Sequence, residues 1–319
     1  MKLLVTGGLG FIGSNFIRYW LRKHEKDTIV NIDKVTYAAD FHNLEGIEKK
    51  YNYYFVKGDI ANKDTIHKLA KNIDLIINFA AETHVDNSIK KADNFIKSNI
   101  IGVYNILEAV RKYEIRFHQV STDEVYGSLP LNSKAKFTEN SKYSPRNPYS
   151  ATKASADYLI NAYYNTYKLH VSISNCSNNY GQYQHREKLI PKTIINAETN
   201  MPIPVYGNGM QIRDWIYVED HCSALEKIVL KGRYGEAYLI SANQEKHNID
   251  IVKKILKLLN KDESLIKFVE DRPGHDLRYA LSATKIIKEF GWKPKYSFDK
   301  GLKFTIQHYL NNLNYYLAR

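Results

Sequence analysis

The sequence predicts an α/β protein built on a doubly wound parallel sheet. Short apolar runs recur along the first half of the chain, amphipathic segments separate them, and a glycine-rich turn follows the first run. Strands that alternate with helices in this way form a parallel sheet with helices on both faces. At 319 residues the chain is long enough for a second, smaller α/β domain.

The predicted strands are apolar runs, and the predicted helices carry apolar residues at helical spacing. We expect strands at 3–5, 28–32, 53–56, 74–79, 117–121 and 171–174. We expect helices at 12–23, 62–71, 94–113 and 149–167, and amphipathic segments at 220–230 and 249–260. The helix at 149–167 has its own start signal, because Asn147 is a good cap and Pro148 suits a first turn.

A nucleotide-binding signature opens the chain. Gly7, Gly10 and Gly13 follow the first strand, and the second strand ends in Asp33. Such glycines let the backbone approach a pyrophosphate at a helix N-terminus, and an acid about 20 residues later binds the adenosine ribose. The carboxylate would repel the 2′-phosphate of NADP, which favours NAD, although the adjacent Lys34 weakens this argument. Glycine turns also occur for packing alone, but here strand, helix and terminal acid are all in place.

The amino-acid composition changes after Gly181, where prolines and glycines become frequent, and this change predicts the domain boundary. We expect an NAD-binding Rossmann domain over 1–179 and a smaller, mostly substrate-binding domain over 180–319. The apolar run at 237–240 resembles one more buried strand. A segment near 213–241 is therefore expected to return to the first domain.

Two motifs, S-T-D-E-V-Y-G at 121–127 and P-Y-S-A-T-K at 148–153, predict an active site. The first places a hydroxyl (Thr122) and two carboxylates (Asp123 and Glu124) at the end of a strand. In the second, Tyr149 and Lys153 are four residues apart, which puts them on one face of a helix. A lysine cation beside a phenol lowers the pKa of the phenol, so Tyr149 is a candidate base. Two carboxylates that share a site tend to have separated pKa values, with one of them held neutral.

Charge and cysteine content limit the other classes of function. The net charge is +12, but the lysines are scattered and form no focused basic patch, so we expect no nucleic-acid partner. The positive field of the protein would attract an anionic substrate. Cys176 and Cys222 are far apart and are expected to be buried thiols in a reducing compartment. No apolar stretch approaches 18 residues and no signal peptide is visible, so we expect a cytoplasmic protein without a membrane span.

Taken together, the motifs resemble the extended short-chain dehydrogenase/reductases that act on nucleotide sugars, and within them the dTDP-glucose 4,6-dehydratase family. The glycine spacing GxxGxxG is also typical of this branch. The resemblance spans nearly the whole chain. The matching segments are Thr6–Asn15, Asp33–Ala38, Ala80–Ile89, Ser121–Gly127, Tyr149–Lys153, Asn175–Gly181, Glu187–Pro191, Arg213–His221 and Asp271–Asp276.

The resemblance implies oxidation of the sugar at C4 by NAD, elimination of water across C5–C6, and return of hydride to C6. Tyr149 would take the 4-hydroxyl proton with Thr122 bonded to that oxygen, Glu124 would remove the C5 proton, and Asp123 would protonate the leaving hydroxyl. The product would be dTDP-4-keto-6-deoxyglucose, a step toward dTDP-rhamnose or other deoxysugars. Relatives are usually homodimers that pair helices such as 94–113 and 149–167, which are apolar on more than one face here.

The resemblance also implies two sets of binding residues. The cofactor set is Gly7, Gly10, Phe11, Ile12, Gly13, Asp33, Lys34, Val35, Thr36, Asp59, Ile60, Phe79, Ala80, Ala81, Glu82, Thr83, Ser98, Tyr149, Lys153 and Asn178. The substrate set is Thr83, Thr122, Asn179, Lys188, Leu189, Ile190, Pro191, Lys192, Thr193, Pro204, Val205, Tyr206, Arg213, Asn248, Asp271, Arg272, Pro273, Gly274 and His275. Arg213 and Arg272 suit a diphosphate, because a guanidinium binds phosphate oxygens in a fork.

Several alternatives remain at this point. A nucleotide-sugar 4-epimerase or a UDP-glucuronate decarboxylase would keep Tyr149 and Lys153 but typically has Ser in place of Asp123. A non-catalytic NAD-binding protein would usually lose the Tyr or the Lys. His84-x-Asp86 offers too few ligands for a metal site, so no metal is expected. Arg186 and Leu277 depart from many relatives, which have Pro and Arg there, so the entry loop and the diphosphate end are less certain than the chemistry.

Overall fold

A computed structural model describes residues 1–318, and Arg319, the last residue of the predicted second domain, lies outside the described residues. The strands are β1 (Lys2–Thr6), β2 (Thr28–Asp33), β3 (Tyr53–Lys57), β4 (Leu75–Asn78), β5 (Arg116–Thr122), β6 (Val171–Cys176), β7 (Asn178–Tyr180), β8 (Ile203–Tyr206), β9 (Ile212–Tyr217), β10 (Ala237–Ile240), β11 (Glu245–His247) and β12 (Ile266–Val269). The helices are α1 (Phe11–Lys23), α2 (Lys63–Ala70), α3 (Val85–Lys90), α4 (Asp93–Phe95), α5 (Gly102–Tyr113), α6 (Pro148–Tyr167), α7 (Leu189–Glu198), α8 (Val218–Lys231), α9 (Asn248–Leu258), α10 (Thr284–Phe290), α11 (Phe298–Asn311) and α12 (Leu313–Leu317).

Seven strands form one sheet in the order β3-β2-β1-β4-β5-β6-β10, and every neighbouring pair is parallel. The predicted parallel α/β sheet is therefore confirmed, and the apolar run at 237–240 is its last strand. The strand order reverses between β1 and β4. Ligands bind at such a switch point, outside the carboxyl ends of the strands.

Helices cover both faces of this sheet because the strand side chains alternate. Leu3 and Val5 of β1 lie in a core with α1 and α8, whereas Leu4 lies in a second core with α2, α5 and α6. All three leucine and valine side chains are fully buried. The sheet is thus doubly wound, as the sequence predicts.

One predicted helix differs from the structure. Where the sequence predicts a continuous helix over 94–113, a π-helical turn at Ile96–Ile101 separates α4 from α5. Within this turn the side chain of Asn99 bonds the backbone N–H and C=O of Glu82 at 2.9 and 3.1 Å, and also the hydroxyl of Thr152. The π-helical segment is only six residues long, too short to leave a visible break in the α-helical apolar period, so the sequence could not show the wider turn.

The second part of the chain contains two small sheets and its own core. One sheet has the order β11-β9-β7, and the other pairs β8 with β12. Apolar residues of α7, α9, α11 and α12 pack together with Trp215 and Tyr217 of β9. Within the described residues, no helix combines the length and apolar character that a membrane span requires.

Candidate active site

Two adjoining cavities lie at the carboxyl-terminal edge of the seven-stranded sheet. The first, of about 340 Å³, is lined by the glycine turn and by residues at the ends of β2, β4 and β5. The second, of about 290 Å³, lies between the turn after β5 and loops of the second part. Seven residues line both cavities and mark where they meet: Thr83, Glu124, Asn178, Asn179, Gln184, Glu187 and Lys188.

The glycine turn brings the backbone close to the first cavity. Gly7 has a φ of 69°, and a Cβ at this position would lie 2.6 Å from the backbone nitrogen of Ala80. A side chain is therefore excluded where β1 and β4 diverge at the switch point. Helix α1 follows at Phe11, and Gly10 provides no side-chain cap, so the first N–H groups of the helix are available to a phosphate.

Asp33 ends β2 at the wall of the first cavity. Its carboxylate accepts the backbone N–H of Leu9 at 3.0 Å and that of Val35 at 2.8 Å. Burial raises the pKa of Asp33. The neighbouring Lys34 directs its ammonium to Asp59, 2.9 Å away. The ammonium of Lys34 is thus paired with Asp59 and not with Asp33. The argument that Lys34 reduces the preference of the site for NAD is therefore weaker.

The paired carboxylates follow β5 in a 3₁₀ turn, Asp123–Tyr126, which begins with Thr122 as its cap. Burial, followed by the charge of Glu124, raises the pKa of Asp123 well above its ordinary value. Burial also raises the pKa of Glu124, but the charge of Arg213 and a hydrogen bond from Asn147 oppose this shift. Arg213 and Asn147 favour the ionised form of Glu124, whereas the charge of Glu124 makes ionisation of Asp123 less favourable. Asp123 is therefore the better proton donor.

Tyr149 and Lys153 both face the first cavity from α6. The predicted lowering of the Tyr149 pKa by Lys153 is wrong in direction. Burial raises the pKa of Tyr149 well above its ordinary value, Glu124 raises it further, and a hydrogen bond from Thr122 only partly opposes this. The ammonium of Lys153 instead donates to the carbonyl oxygen of Val120, 2.8 Å away, a partner that sequence spacing could not reveal.

Arg213 lies beside the acid pair and not only at the outer part of the second cavity. Its guanidinium donates to the carbonyl oxygens of Ile212 and Asp276 at 2.9 Å each. It also stacks on the ring of Tyr279, 4.3 Å from the ring centroid. Its charge lowers the pKa of Glu124 from this position, because a nearby cation favours the carboxylate.

A second arginine closes the outer wall of the substrate-side cavity. Nε of Arg272 lies 2.9 Å from the carboxylate of Asp86, and its guanidinium lies over the ring of Tyr206. The hydroxyl of Tyr206 donates to the same carboxylate at 3.3 Å. Asp86 in α3 thus meets two residues of the second part across the cavity.

The structure brings most of the predicted residues to the two cavities. Every predicted catalytic residue and every predicted cofactor residue lines the first cavity except Val35, whose N–H donates to Asp33. The predicted substrate residues line the second cavity except Thr122, which lines the first, and Pro191 and Asp271. Pro191 is buried within α7, and Asp271 accepts a hydrogen bond from Gln211, itself a residue of the cavity wall.

Several residues of the cavity walls were not predicted as site residues. Asn147 gave only a helix-cap signal, and for Asp86 a structural or substrate-side role was favoured over a metal site without naming it a site residue. Trp215 lies in the matching segment Arg213–His221 but was not singled out from it. Gln184 and Tyr279 belong to none of the matching segments, and their place in the wall depends on long-range packing.

Buried polar atoms without a hydrogen-bond partner among residues 1–318 concentrate at these cavities. They include Oδ2 of Asp123, Oδ1 of Asn178, Oε1 of Gln184, Nε1 of Trp215 and Oδ1 of Asn248. Buried polar groups in native proteins are almost always bonded. Their location is consistent with polar ligands on both sides of Glu124.

His84 and Asp86 form contacts within the protein. His84 accepts the N–H of Asn87 at the start of α3, and its Nε2 lies 3.4 Å from the carboxylate of Glu187. In the part of the chain that the structure describes, no three His, Cys, Asp or Glu side chains form a group that could hold a metal ion.

The two departures from the family pattern have defined surroundings. Arg186 donates to the carbonyl oxygen of Tyr316 at 3.2 Å and so contacts α12. Leu277 is 46 % exposed, and its backbone N–H donates to Ser128. Leu277 is not among the residues that line the second cavity.

Comparison with known proteins agrees with this geometry. The family model for GDP-mannose 4,6 dehydratase matches residues 4–305. The dTDP-glucose 4,6-dehydratase of Haemophilus influenzae is 47% identical, over 98% of this chain and 98% of its own length. The chain belongs to the dTDP-glucose 4,6-dehydratase family.

Solved structures of that family have the same fold. The enzyme from Bacillus anthracis, solved in complex with NAD, has a TM-score of 0.93 at 45% identity and covers 100% of this chain and 99% of its own. DesIV from Streptomyces venezuelae, solved with NAD bound, has a TM-score of 0.95 at 40% identity and covers 99% and 98%. The resemblance to the dTDP-glucose 4,6-dehydratase family that the motifs indicate is confirmed.

Proposed function

We propose that this protein uses NAD to convert dTDP-glucose to dTDP-4-keto-6-deoxyglucose. The observation that carries the proposal is the meeting of the two cavities at Glu124, with Thr122, Asp123, Tyr149 and Lys153 along the wall of the first. One sugar held there would face a phenol, an ammonium and an acid–base pair together.

The residues of the first cavity fit NAD. A Cβ at Gly7 would clash with Ala80, the end of α1 is open to a pyrophosphate, and Asp33 is placed for ribose hydroxyls. Oδ1 of Asn178 is buried there without a partner among the described residues. Bound NAD would supply the redox chemistry, accepting hydride from C4 and returning it to C6, and its cationic ring would favour the phenolate of Tyr149.

The first half of the reaction belongs to Tyr149. Its phenolate oxygen takes the proton of the sugar 4-hydroxyl as C4 becomes a ketone, and the Thr122 hydroxyl holds that oxygen in place. Lys153 keeps a positive charge in the same cavity while anchored on Val120. The new C4 ketone acidifies the proton on C5.

The elimination belongs to the acid pair. The Glu124 carboxylate takes the C5 proton, and the electron pair of that bond forms the C5–C6 double bond. After hydride has reached C6, Glu124 returns a proton to C5. Asp123, whose pKa is raised by burial and by Glu124, delivers its proton to the departing C6 hydroxyl, which leaves as water. A carboxylic acid at position 123 favours this reading over a 4-epimerase or decarboxylase, since neither needs an acid for a C6 hydroxyl.

The second cavity suits the nucleotide diphosphate. Arg272 lies in its outer wall with Tyr206, and Lys188 lies where the cavities meet. Guanidinium and ammonium groups bind phosphate oxygens strongly when water is partly excluded. Because most of the proposed substrate-binding residues come after Gly181, we retain the division into an NAD-binding part (1–179) and a mostly substrate-binding part (180–319). Helix α8 and β10 rejoin the large sheet from the second part.

We also propose that the protein is a cytoplasmic homodimer. Ile96, Ile101 and Tyr104 on the 94–113 segment and Tyr158 on α6 are exposed by 39–58 % in the single chain. These helices contact each other, so the apolar side chains can form one surface that a second copy would cover. The buried thiols Cys176 and Cys222 are free, which suits a reducing compartment.

The test is an assay with dTDP-, UDP-, CDP- and GDP-glucose that detects the 4-keto product by its absorbance in alkali. We expect dTDP-glucose to be preferred. Glu124→Gln should still exchange hydride at C4 but fail to release water, whereas Glu25→Gln, at an exposed surface position, should match the wild type. NAD binding without turnover of any of the four substrates would instead favour the non-catalytic reading, and a C4 epimer as product would favour the epimerase.

A further inference from the structure

Asn147 joins the two halves of the proposed active site. Its carboxamide oxygen accepts the backbone N–H of Ser150 at 2.8 Å, and its own N–H donates to the Ser150 hydroxyl at 3.2 Å. This capping box starts α6, the helix that carries Tyr149 and Lys153. With the oxygen committed to the cap, the amide nitrogen is the end that is available to Glu124, and a hydrogen bond from Asn147 opposes the rise in the Glu124 pKa.

The loop before α6 is fastened to the turn that carries Glu124. The N–H of Ser144 donates to the carbonyl oxygen of Val125 at 2.9 Å. Gly127 ends the turn with a φ of 81°, and a Cβ there would clash with the carbonyl oxygen of Ser144. Asn147 is therefore held opposite Glu124 by contacts independent of its own side chain, and both residues line the second cavity.

We infer that Asn147 is a positioning residue for Glu124. It holds the carboxylate at a fixed place relative to the start of α6, and it favours the ionised form of Glu124 by donating a hydrogen bond. The inference rests on the proposed function, because Glu124 acts as the C5 base only in that reaction. It also explains why the two neighbouring carboxyl groups differ in pKa, since the Oδ2 atom of Asp123 has no such donor among the described residues.

Asn147 does this without adding a charge to a crowded site. The charged or titratable groups that act on Glu124 come from several elements: Asp123 on its own turn, Tyr149 on α6, Arg213 on β9, Lys188 before α7, and Asp276 and Tyr279 between β12 and α10. A lysine in place of Asn147 would also favour the ionised form of Asp123, which must be protonated to act as the acid. A neutral donor acts mainly on the carboxylate that it touches.

Two variants separate this role from capping. Ser and Asp cap helices about as well as Asn, so Asn147→Ser and Asn147→Asp should keep α6 and the free energy of unfolding. Asn147→Ser removes the donor to Glu124, and Asn147→Asp adds a like charge beside it. Both changes raise the pKa of Glu124, so the acidic limb of the dehydration rate should move to higher pH by about one unit or more. The shift should be larger for Asp.

The matched controls are Asn62→Ser and Asn62→Asp. Asn62 caps α2 by accepting the N–H of Thr65 at 3.0 Å and does not line either cavity. These variants should leave the pH profile of dehydration unchanged. Oxidation at C4, followed as NADH formation in a single turnover, should be the same in the wild type and in Asn147→Ser, because Tyr149 and Lys153 keep their helix.

The outcomes distinguish this inference from the proposed function. If the wild type dehydrates no nucleotide-linked glucose, the proposed function fails and the role of Asn147 fails with it. If the wild type dehydrates dTDP-glucose but both Asn147 variants keep its pH profile, only the inference is overturned. A direct titration of the Glu124 carboxyl by ¹³C NMR, assigned through Glu124→Gln, should show the same upward shift in Asn147→Ser, and an unchanged titration would likewise overturn the inference.

Discussion

The ammonium of Lys153 donates to the carbonyl oxygen of Val120, 2.8 Å away, and so ties α6 to the end of β5. Burial lowers the pKa of Lys153, and the charge of Asp157, one helical turn further along, opposes that shift. Asp157 in turn accepts hydrogen bonds from Ser121, Tyr143 and Asn175. The lysine of the predicted catalytic pair is thus also part of a buried network that holds the helix against the sheet.

Lys153→Met should destabilise the protein as well as prevent oxidation of the sugar at C4. The carbonyl oxygen of Val120 would lose its donor and Asp157 would lose the nearby cation that favours its carboxylate, which together should cost about 1–3 kcal/mol. Urea denaturation measures the free energy of unfolding. The double variant Lys153→Met/Asp157→Asn should recover a large part of the loss, and equal midpoints for the single and double variants would show that the two groups are not coupled.

Two buried carboxyl groups predict how stability varies with pH. Burial raises the pKa of Asp157 and of Asp214 to about 6. Because these values exceed the unfolded value of about 3.9, the folded state binds more protons between the two, so this contribution favours folding below pH 4 or so and is lost as the pH rises through about 6.

Asp214→Asn tests that dependence. Asp214 accepts the N–H of Gln244 and the hydroxyl of Ser241, and an amide can bond the same two groups. Relative to the wild type, the variant should gain about 1–3 kcal/mol between pH 4 and pH 7, as measured by urea denaturation across that range. A constant difference at every pH would show that Asp214 titrates normally in the folded protein.

The sequence predicted the large sheet well because the evidence for it is local. Apolar runs, the Gly7–Gly13 turn and the acid that ends β2 each depend on neighbouring residues. The partners of individual side chains are not local. Lys153 meets Val120 instead of the Tyr149 phenol, the Asn147 cap reaches Glu124, and the last helix contacts residues far away in the sequence. Motifs therefore located the site, but not the contacts that set its pKa values.

Asp33→Ser should relax the preference for NAD. Asp33 lines the first cavity at the end of β2, and its carboxylate would repel a 2′-phosphate. Like charges placed together cost several kcal/mol, so the ratio of NADP to NAD dissociation constants should fall at least about tenfold. Tryptophan fluorescence titration measures both constants. Because Asp33 also bonds the N–H of Leu9 and Val35, thermal unfolding should be recorded, and an unchanged ratio in a folded variant would exclude this role.

Tyr158→Glu should weaken the proposed homodimer. Tyr158 is 58 % exposed on α6, and a buried charge at a subunit interface without a partner costs several kcal/mol. Sedimentation velocity should show a shift toward monomer, while Tyr54→Glu, which replaces an exposed tyrosine on the edge strand β3, should not change the mass. A monomeric wild type, or a Tyr158→Glu dimer of unchanged affinity, would contradict this interface.

Arg186 makes the end of the chain relevant to cofactor retention. It donates to the carbonyl oxygen of Tyr316 at 3.2 Å, and the hydroxyl of the adjacent Tyr315 donates to Asp40 at 2.7 Å. Helix α12 therefore connects two segments of the chain. One is the segment around Arg186, which includes the cavity residue Glu187, and the other is the loop after β2. Arg186→Ala should loosen this bridge by about 0.5–1.5 kcal/mol, the worth of one hydrogen bond, and speed NAD release a few-fold.

The rate of NAD release can be measured by displacement with excess labelled NAD. Arg233→Ala is a suitable control, because Arg233 is an exposed arginine paired with Glu289 and does not line either cavity. Tyr315→Phe should act in the same direction as Arg186→Ala, since it removes the other attachment of α12. If both variants release NAD at the wild-type rate, α12 stabilises the fold without holding the cofactor loop, and the departure of Arg186 from the family pattern has no bearing on the cofactor.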